Sequence, residues 1–404
     1  MVLYQQSVNC GYTNDDKWST IRVGGFEHME LFLHSWRFLR YEITKSTNWH
    51  CVFVRINSGH ETLVEFTKGP QSIEVARLIN EILETISEGS IPAEEDLEKY
   101  LGVNEDVESG SNTAAALSAV RTIISQLNAL VHGQPLCAYI SGKFPSKIDL
   151  YANINRGLFA TDRSPEDFGN AAGRAADKGF KVIKCAPFDE VRHPNPDDII
   201  SVAKQGIDRL VAVREKVGPA VEILVDCHGR FDEYSSRMVA ELISPIGIGW
   251  FEEPLDPIAF PTELAELARD IDLPISGGEA GYGQTFFDSL IKLNSVRTIM
   301  PDIKYCGGVE EAVRIAKSAI KNRIGFSPHC PSGPISLLAS AHVCASLDQR
   351  VILEHAVEEF EYRHEFIDPF EVIRNGQLHM PDGPGLGADV NSESLKKYGE
   401  YFSL

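Results

Sequence analysis

Read for the spacing of its apolar positions, the chain changes grammar near Lys147. Before that point LFLHSWRFLRYEIT (31–44), WHCVFVRI (49–56) and ETLVEF (61–66) are rich in β-formers and separated by polar turns, among them Asn57-Ser58-Gly59. Apolar residues at three- and four-residue spacing then predict helices over 72–87 and 112–131, joined by an acidic, Gly- and Ser-containing connection (88–111) that reads as a loop. A sheet followed by helices predicts an α+β unit. After Lys147 short apolar runs alternate with amphipathic stretches: IDLYANI, FKVIKCA, VEILVD, IGWFE, LPISGG, VRTIMPD, IGFSPH and RVILEH. The segments between them predict helices at 165–178, 196–217, 232–242, 262–270, 308–321 and 333–347. Eight runs, with no GxGxxG turn after the first, predict a closed α/β barrel in preference to an open doubly wound sheet. The expected layout is an N-terminal α+β unit over 1–146, a barrel over 147–360, and a C-terminal segment (361–404) that packs back on the first unit.

Composition narrows the partners. With 43% hydrophobic and 24% charged residues the sequence is that of an ordinary globular protein. Its net charge of −20 argues against nucleic acid and anionic membranes, and requires a local positive charge, such as a bound metal ion, wherever a small anion is to bind. The eight cysteines (Cys10, Cys51, Cys137, Cys185, Cys227, Cys306, Cys330, Cys344) form no CxxC pair and read as reduced thiols. No basic-then-apolar leader opens the sequence, and no run approaches membrane-spanning length, so a soluble cytoplasmic protein is expected.

In an α/β barrel the catalytic groups stand where strands end. Asp226 closes VEILVD, Glu252 closes IGWFE and Glu279 follows LPISGG, one βα unit apart. Three carboxylates at one rim repel one another unless a cation joins them, and oxygen-only ligands select a hard ion such as Mg2+. The pair Glu252-Glu253 offers two candidates, of which strand alternation turns one to the barrel mouth. His228 lies two residues past Asp226, and His329 ends IGFSPH; either imidazole can act as acid or base near neutral pH. Asp302, at the end of the sixth run, is placed to orient His329. Lys184 is a basic candidate on the opposite side, and Glu354, ending the eighth run, could meet a substrate carboxylate. Each of these residue types is also common as a solvated loop residue, a cap or a salt-bridge partner; only the set is informative.

That set resembles the enolase superfamily, in its mandelate racemase-like branch, through GQPLCAYISGK, GFKVIKCA, VDCHGR, WFEEP, SGGEAGYG, MPDIKYCGGVEEA and SPHCPSGP. The resemblance implies a modified (β/α)7β TIM-like barrel with an N-terminal α+β capping domain, and Mg2+ held by Asp226, Glu252 and Glu279. It implies Asp302 and His329 as an orienting and proton-abstracting dyad. The pairing of DCHGR with SPHCPSGP is most similar to galactonate dehydratase-type enzymes, which implies His228 as the acid that expels a hydroxyl. The expected reaction is therefore removal of the proton α to the carboxylate of a sugar acid and loss of the 3-hydroxyl, giving a 2-keto-3-deoxy acid. The alternatives are a racemase or epimerase using Lys184 and His329, and a non-catalytic binding protein. A small-molecule acid-sugar substrate and a homo-oligomer are expected. Departures lie at Lys184-Cys185-Ala186, where relatives have a second lysine, at Gln126-Leu127-Asn128, and in the segment 187–198 with Arg192 and His193. These, with loops in residues 10–30, bear on which sugar acid is taken.

Overall fold

The computed structural model describes residues 22–23, 26–27, 30–44, 47–103, 107–192 and 198–404. Eight strands run parallel: Lys147–Asn153, Val182–Cys185, Glu222–Asp226, Ile248–Glu252, Ile275–Gly277, Thr298–Ile299, Gly325–Phe326 and Ile352–Ala356. Each of the first six pairs with the next, and the eighth pairs with the first. The seam between the seventh and eighth is bridged by the Ser327 hydroxyl, which donates to the Ile352 carbonyl at 2.8 Å. A helix follows each of the first seven strands, so the architecture is a (β/α)7β barrel.

Local chemistry accounts for the boundaries. The helix Pro165–Asp177 begins with a capping box: the Ser164 hydroxyl accepts from the Asp167 amide while the Asp167 carboxylate accepts from the Ser164 amide. One barrel helix, Gly283–Leu293, has no counterpart among the predicted segments. It is short, and Tyr282 before it supplies no side-chain cap, so neither of the usual sequence signals is present.

Inside the barrel the side chains stack in layers. Tyr151, Leu224, Trp250 and Met300 pack together as an apolar floor. One pleat further along the same strands stand Asn153, Asp226 and Glu252, with Lys184 and Glu354 beside them. The period-two alternation that buries Leu224 and Trp250 therefore aims Asp226 and Glu252 into the barrel mouth.

The N-terminal cap is an antiparallel sheet (Leu33–Glu42, Asn48–Ile56, Glu61–Glu65) covered by the helices Ser72–Ser87 and Asn112–Val131. The second of these is long and apolar enough to cross a membrane by length and composition, yet it is buried almost all round between the cap sheet and the barrel. The connection at 88–111 is not the plain loop that its composition predicts. It contains the 3-10 turn Glu94–Asp96 and the helix Leu97–Leu101. Both are too short for a periodic signal and are held by a tertiary ion cluster: Arg121 binds Glu94 at 2.6 Å, Glu98 at 2.9 Å and the barrel's Glu311 at 3.2 Å. The C-terminal chain first adds Gln377–His379 antiparallel to the first barrel strand. Only then does Gly399–Phe402 join the cap sheet beside Leu33–Glu42.

Arg121 is buried, and removing it leaves Glu94 and Glu311 only the more exposed Arg314, at 2.9 and 2.7 Å, as a shared counter-charge. Arg121→Met is expected to lower the unfolding free energy by up to about 3–5 kcal/mol in urea titrations, the cost of breaking a buried ion pair, with Arg314 offsetting part of it. A loss within about 0.5 kcal/mol, typical of surface changes, would show that the cap and barrel do not depend on this clamp.

Candidate functional site

The third and fourth barrel strands are in register with Asp226 opposite Glu252, and the fourth and fifth with Glu252 opposite Ser276, three residues before Glu279. One carboxylate oxygen from each of Asp226, Glu252 and Glu279 lies within 4.8 Å of the others. Of the two adjacent acids, Glu252 is the one in this group. Glu253 adopts a left-handed backbone (φ +39°) and accepts hydrogen bonds from the amides of Gly278 (2.7 Å) and Glu279 (3.1 Å), fixing the turn that presents Glu279. Gly277 is required by this packing, since a Cβ there would lie 2.9 Å from Glu253 Cγ. Burial, with Glu279 nearby, pushes the Glu253 carboxyl up to about 8.

Lys184 lies at the base of the group, fully buried, with its ammonium 2.7 Å from Glu252, 2.8 Å from Glu354 and 3.5 Å from Asp226. Burial alone would favour the neutral amine, but the surrounding carboxylates outweigh it and hold the group well above the ordinary lysine value. Glu354 is likewise enclosed. One oxygen accepts from Lys184 and from Asn153 Nδ2 (2.7 Å), and the other from the Cys330 amide (2.8 Å). Burial raises its pKa, but Lys184 and His329 overcome that and leave it below the usual carboxylate range, so Glu354 is ionised and bound within the protein. Glu252 also accepts from Trp250 Nε1 at 3.1 Å.

Two imidazoles face the acids from different sides. His329 Nδ1 pairs with Asp302 Oδ2 at 3.0 Å, and its Nε2 lies 3.1 Å from Glu279 Oε2. His228 Nδ1 pairs with Asp189 at 2.8 Å, and its Nε2 lies 3.2 Å from Asp226 Oδ2. Burial lowers the His329 pKa, but Glu279, Glu354 and Asp302 outweigh it and raise it to about 9. Asp226 pushes His228 up to about 12, against burial and with help from Asp189. Asp302 is itself gripped by Lys304, whose ammonium lies 3.3 Å from Oδ2 and donates to Ser332 Oγ at 2.6 Å.

All eight candidate residues thus converge on one end of the barrel, with Lys184 and Glu354 placed differently from their sequence-based reading. Lys184 does not stand across the site as a free base, because three carboxylates surround it. Glu354 is turned to Lys184 and the Cys330 amide, so its oxygens are occupied before any substrate arrives. Arg192 is exposed, while His193, Cys10 and most of residues 10–30 lie outside the described residues; the seven described cysteines are buried free thiols. Asp189, Lys304 and Asn153 were not anticipated. The only hint for Asp189 was the unusual segment that contains it; Lys304 and Asn153 gave none beyond lying beside strand-end motifs.

The donor set fits a hard divalent ion. It is all oxygen, and an ion with ligand oxygens at about 2.1 Å brings those oxygens to about 3–4 Å from one another. Glu279 Oε2 is buried and makes no hydrogen bond, its nearest opposite charge being His329 Nε2 at 3.1 Å, so it has capacity left for an ion.

Comparisons with known proteins bear on the family and the fold. Residues 167–394 match the family described as enolase C-terminal domain-like. Arabinonate dehydratase of Saccharolobus solfataricus is 26% identical over 70% of this chain and 72% of its own length. D-xylonate dehydratase of Haloferax volcanii is 22% identical over 84% of this chain and 78% of its own length. A solved enolase-superfamily member from Salmonella Typhimurium superimposes with a TM-score of 0.80 at 22% identity, covering 92% of this chain and all of the other, which establishes the shared fold.

With His329 at about 9 and His228 at about 12, both imidazoles are protonated near neutral pH while they face unligated carboxylates. A divalent cation entering the cluster replaces that attraction and lowers both values, so binding is expected to release protons and to weaken as pH falls. Calorimetric titration of Mg2+ into the protein, in buffers of different ionisation enthalpy, gives the proton count directly. Heats that do not depend on the buffer would disconnect the imidazoles from the acid cluster.

Proposed function

This chain belongs to the enolase C-terminal domain-like family, and we propose that within it the protein is a Mg2+-dependent acid-sugar dehydratase, converting a 2,3-dihydroxy acid into a 2-keto-3-deoxy acid. The single observation that carries this reading is the pair of imidazoles, each with its Nε2 against a different member of the acid group: His329 on Glu279 at 3.1 Å, and His228 on Asp226 at 3.2 Å. Asp226, Glu252 and Glu279 are the residues that would hold Mg2+, which supplies the positive charge needed against the two negative charges of an enediolate.

The remaining work falls to protein side chains. His329, oriented through Nδ1 by Asp302, takes the proton from C2. His228 gives a proton to the 3-hydroxyl as its C–O bond breaks, and water leaves. The resulting enol takes a proton at C3 and gives up its 2-hydroxyl proton as it becomes the keto acid; the proton gained by His329 and the one given by His228 cancel, so the substrate has lost only water. Assigning removal of the proton and departure of the hydroxyl to separate imidazoles lets each group work from its own position. Lys184 contributes positive charge beneath Glu252 and Glu354. An epimerase would need a second base free to face the substrate carbon from the opposite side, and Lys184, enclosed and held protonated, does not offer one. The dehydratase names of the relatives point the same way.

A panel of five- and six-carbon sugar acids incubated with the protein and Mg2+ in D2O is expected to give a 2-keto acid from at least one member. Solvent deuterium exchange at C2 with no keto acid from any member would move the protein to the epimerase reading; neither signal across a full panel would leave it a binding protein. In the reactive case, His228→Asn is expected to reduce keto-acid formation by about 10²–10⁴-fold, the range for a positioned acid, while C2 exchange through His329 survives. Equal loss of both signals, with Mg2+ binding intact, would take His228 out of the leaving-group step.

A further inference from the structure

The segment following the second barrel strand does more than border the site. Asp189 divides its two oxygens between two partners: Oδ1 meets His228 Nδ1 at 2.8 Å, and Oδ2 meets Arg163 NH2 at 3.3 Å. His228 is therefore held at three points, since its Nε2 lies 3.2 Å from Asp226 Oδ2 and its own amide donates to Asp226 Oδ1 at 3.1 Å. It does so from a left-handed backbone (φ +49°), a conformation that costs a residue with a Cβ on the order of 1 kcal/mol and that persists only where surrounding contacts enforce it.

Those contacts are built into the fold. Arg163 also donates to the Ala186 carbonyl at 2.9 Å and to Glu190 at 3.1 Å. Arg209, almost wholly buried, donates to the carbonyls of Arg163 and Pro187, each at 2.7 Å, and to both oxygens of Glu190 at 2.5 and 3.0 Å. Arg230 donates to the Val191 carbonyl at 3.2 Å. The helix Ile199–Val217 presses on the same segment at Gly206, where a Cβ would fall 2.2 Å from the Phe188 ring. The Asp189–His228 pair is itself partly open to solvent, where an ion pair alone contributes about 0–1 kcal/mol, so the surrounding arginine contacts are what hold Asp189 in place. Three arginines gathered on six residues of a chain with net charge −20 fix the position of Asp189 itself.

We propose that Asp189 is a positioning residue for His228, so that the site contains two carboxylate–imidazole dyads: Asp302–His329 for removing the C2 proton and Asp189–His228 for delivering a proton to the departing hydroxyl. This rests on the dehydration reading for its chemical role. Its structural content is narrower: Asp189 occupies His228 Nδ1, which fixes the ring plane and keeps Nε2 turned to the acid group. Residues 187–191, within the 187–198 stretch that reads as unusual in the sequence, thereby supply a working part of the site.

Two measurements test the proposal on Asp189→Ala and on the size-conserving Asp189→Asn. The first needs no turnover. Long-range 1H–15N spectra of the histidine rings, with His228 assigned by its loss in His228→Asn, are expected to show the His228 Nδ1 and Nε2 resonances shifted or broadened in both variants, while those of His329 stay in place. The second uses the active sugar acid in D2O. Keto-acid formation is expected to fall by about 10–100-fold, the range for losing an outer-shell partner, while C2 exchange and calorimetric Mg2+ binding stay within about twofold. Unchanged His228 resonances overturn the positioning role, whatever the reaction. Altered resonances with equal losses of exchange and elimination overturn its link to the leaving group. If the unsubstituted protein dehydrates none of the acids, the dehydratase reading fails alone, and the ring spectra still decide whether Asp189 holds His228.

Discussion

The mutual repulsion of carboxylates brought to one barrel mouth is the constraint around which this structure is arranged. Asp226, Glu252, Glu279, Glu354 and Asp302 sit at strand ends within one small region, and most of them are removed from water. At close range in a low-dielectric setting such charges cannot coexist without counter-charges. The fold supplies these at fixed places. Lys184 stands under Asp226, Glu252 and Glu354; Lys304 supports Asp302; and the imidazoles of His228 and His329 face the side that remains open. Even with these cations in place, Asp226, Glu252 and Glu279 keep oxygens close enough together to share one ion.

This balance explains why similar residue types carry different loads. Lys184 and Lys304 are both buried lysines whose protonation is enforced by neighbouring acids, so they act as permanent charges. The imidazoles are the groups able to change state, because their ordinary range is near neutrality and the acids beside them raise it against the effect of burial. Glu252 and Glu253 make the same point within one dipeptide: one joins the acid trio, and the other receives two amides and braces the next turn.

The cap contributes to the site through its supports. Tyr282, three residues past Glu279, donates from its hydroxyl to Glu98 at 2.6 Å and from its amide to Ser109 at 2.9 Å, both in the cap. Glu98 in turn belongs to the ion cluster centred on Arg121, which reaches Glu311 on a barrel helix. The loop bearing Glu279 is thus fastened to both parts of the molecule, and loosening the cap would be felt at the acid cluster.

What the sequence determined by itself was whatever depends on local period and spacing. The eight barrel runs, the cap strands, the two long cap helices and the strand-end positions of Asp226, Glu252, Glu279, Asp302 and His329 were all legible, because alternation along a strand decides which side chains reach the barrel mouth. The helix Gly283–Leu293 and the short elements at Glu94–Leu101 were not, since one lacks a cap signal and the others owe their shape to Arg121. Tertiary structure alone decided the electrostatic roles. Lys184 reads in the sequence as a base and becomes an enclosed counter-ion because Glu252 and Glu354, 68 and 170 residues away, close on it. Asp189 reads as one more loop acid and becomes the partner of His228 because Arg163 and Arg209 pin its loop across a distance that no periodicity records. A side chain's charge state and orientation follow from the sum of its neighbours in space, and in a barrel those neighbours come from strands far apart along the chain.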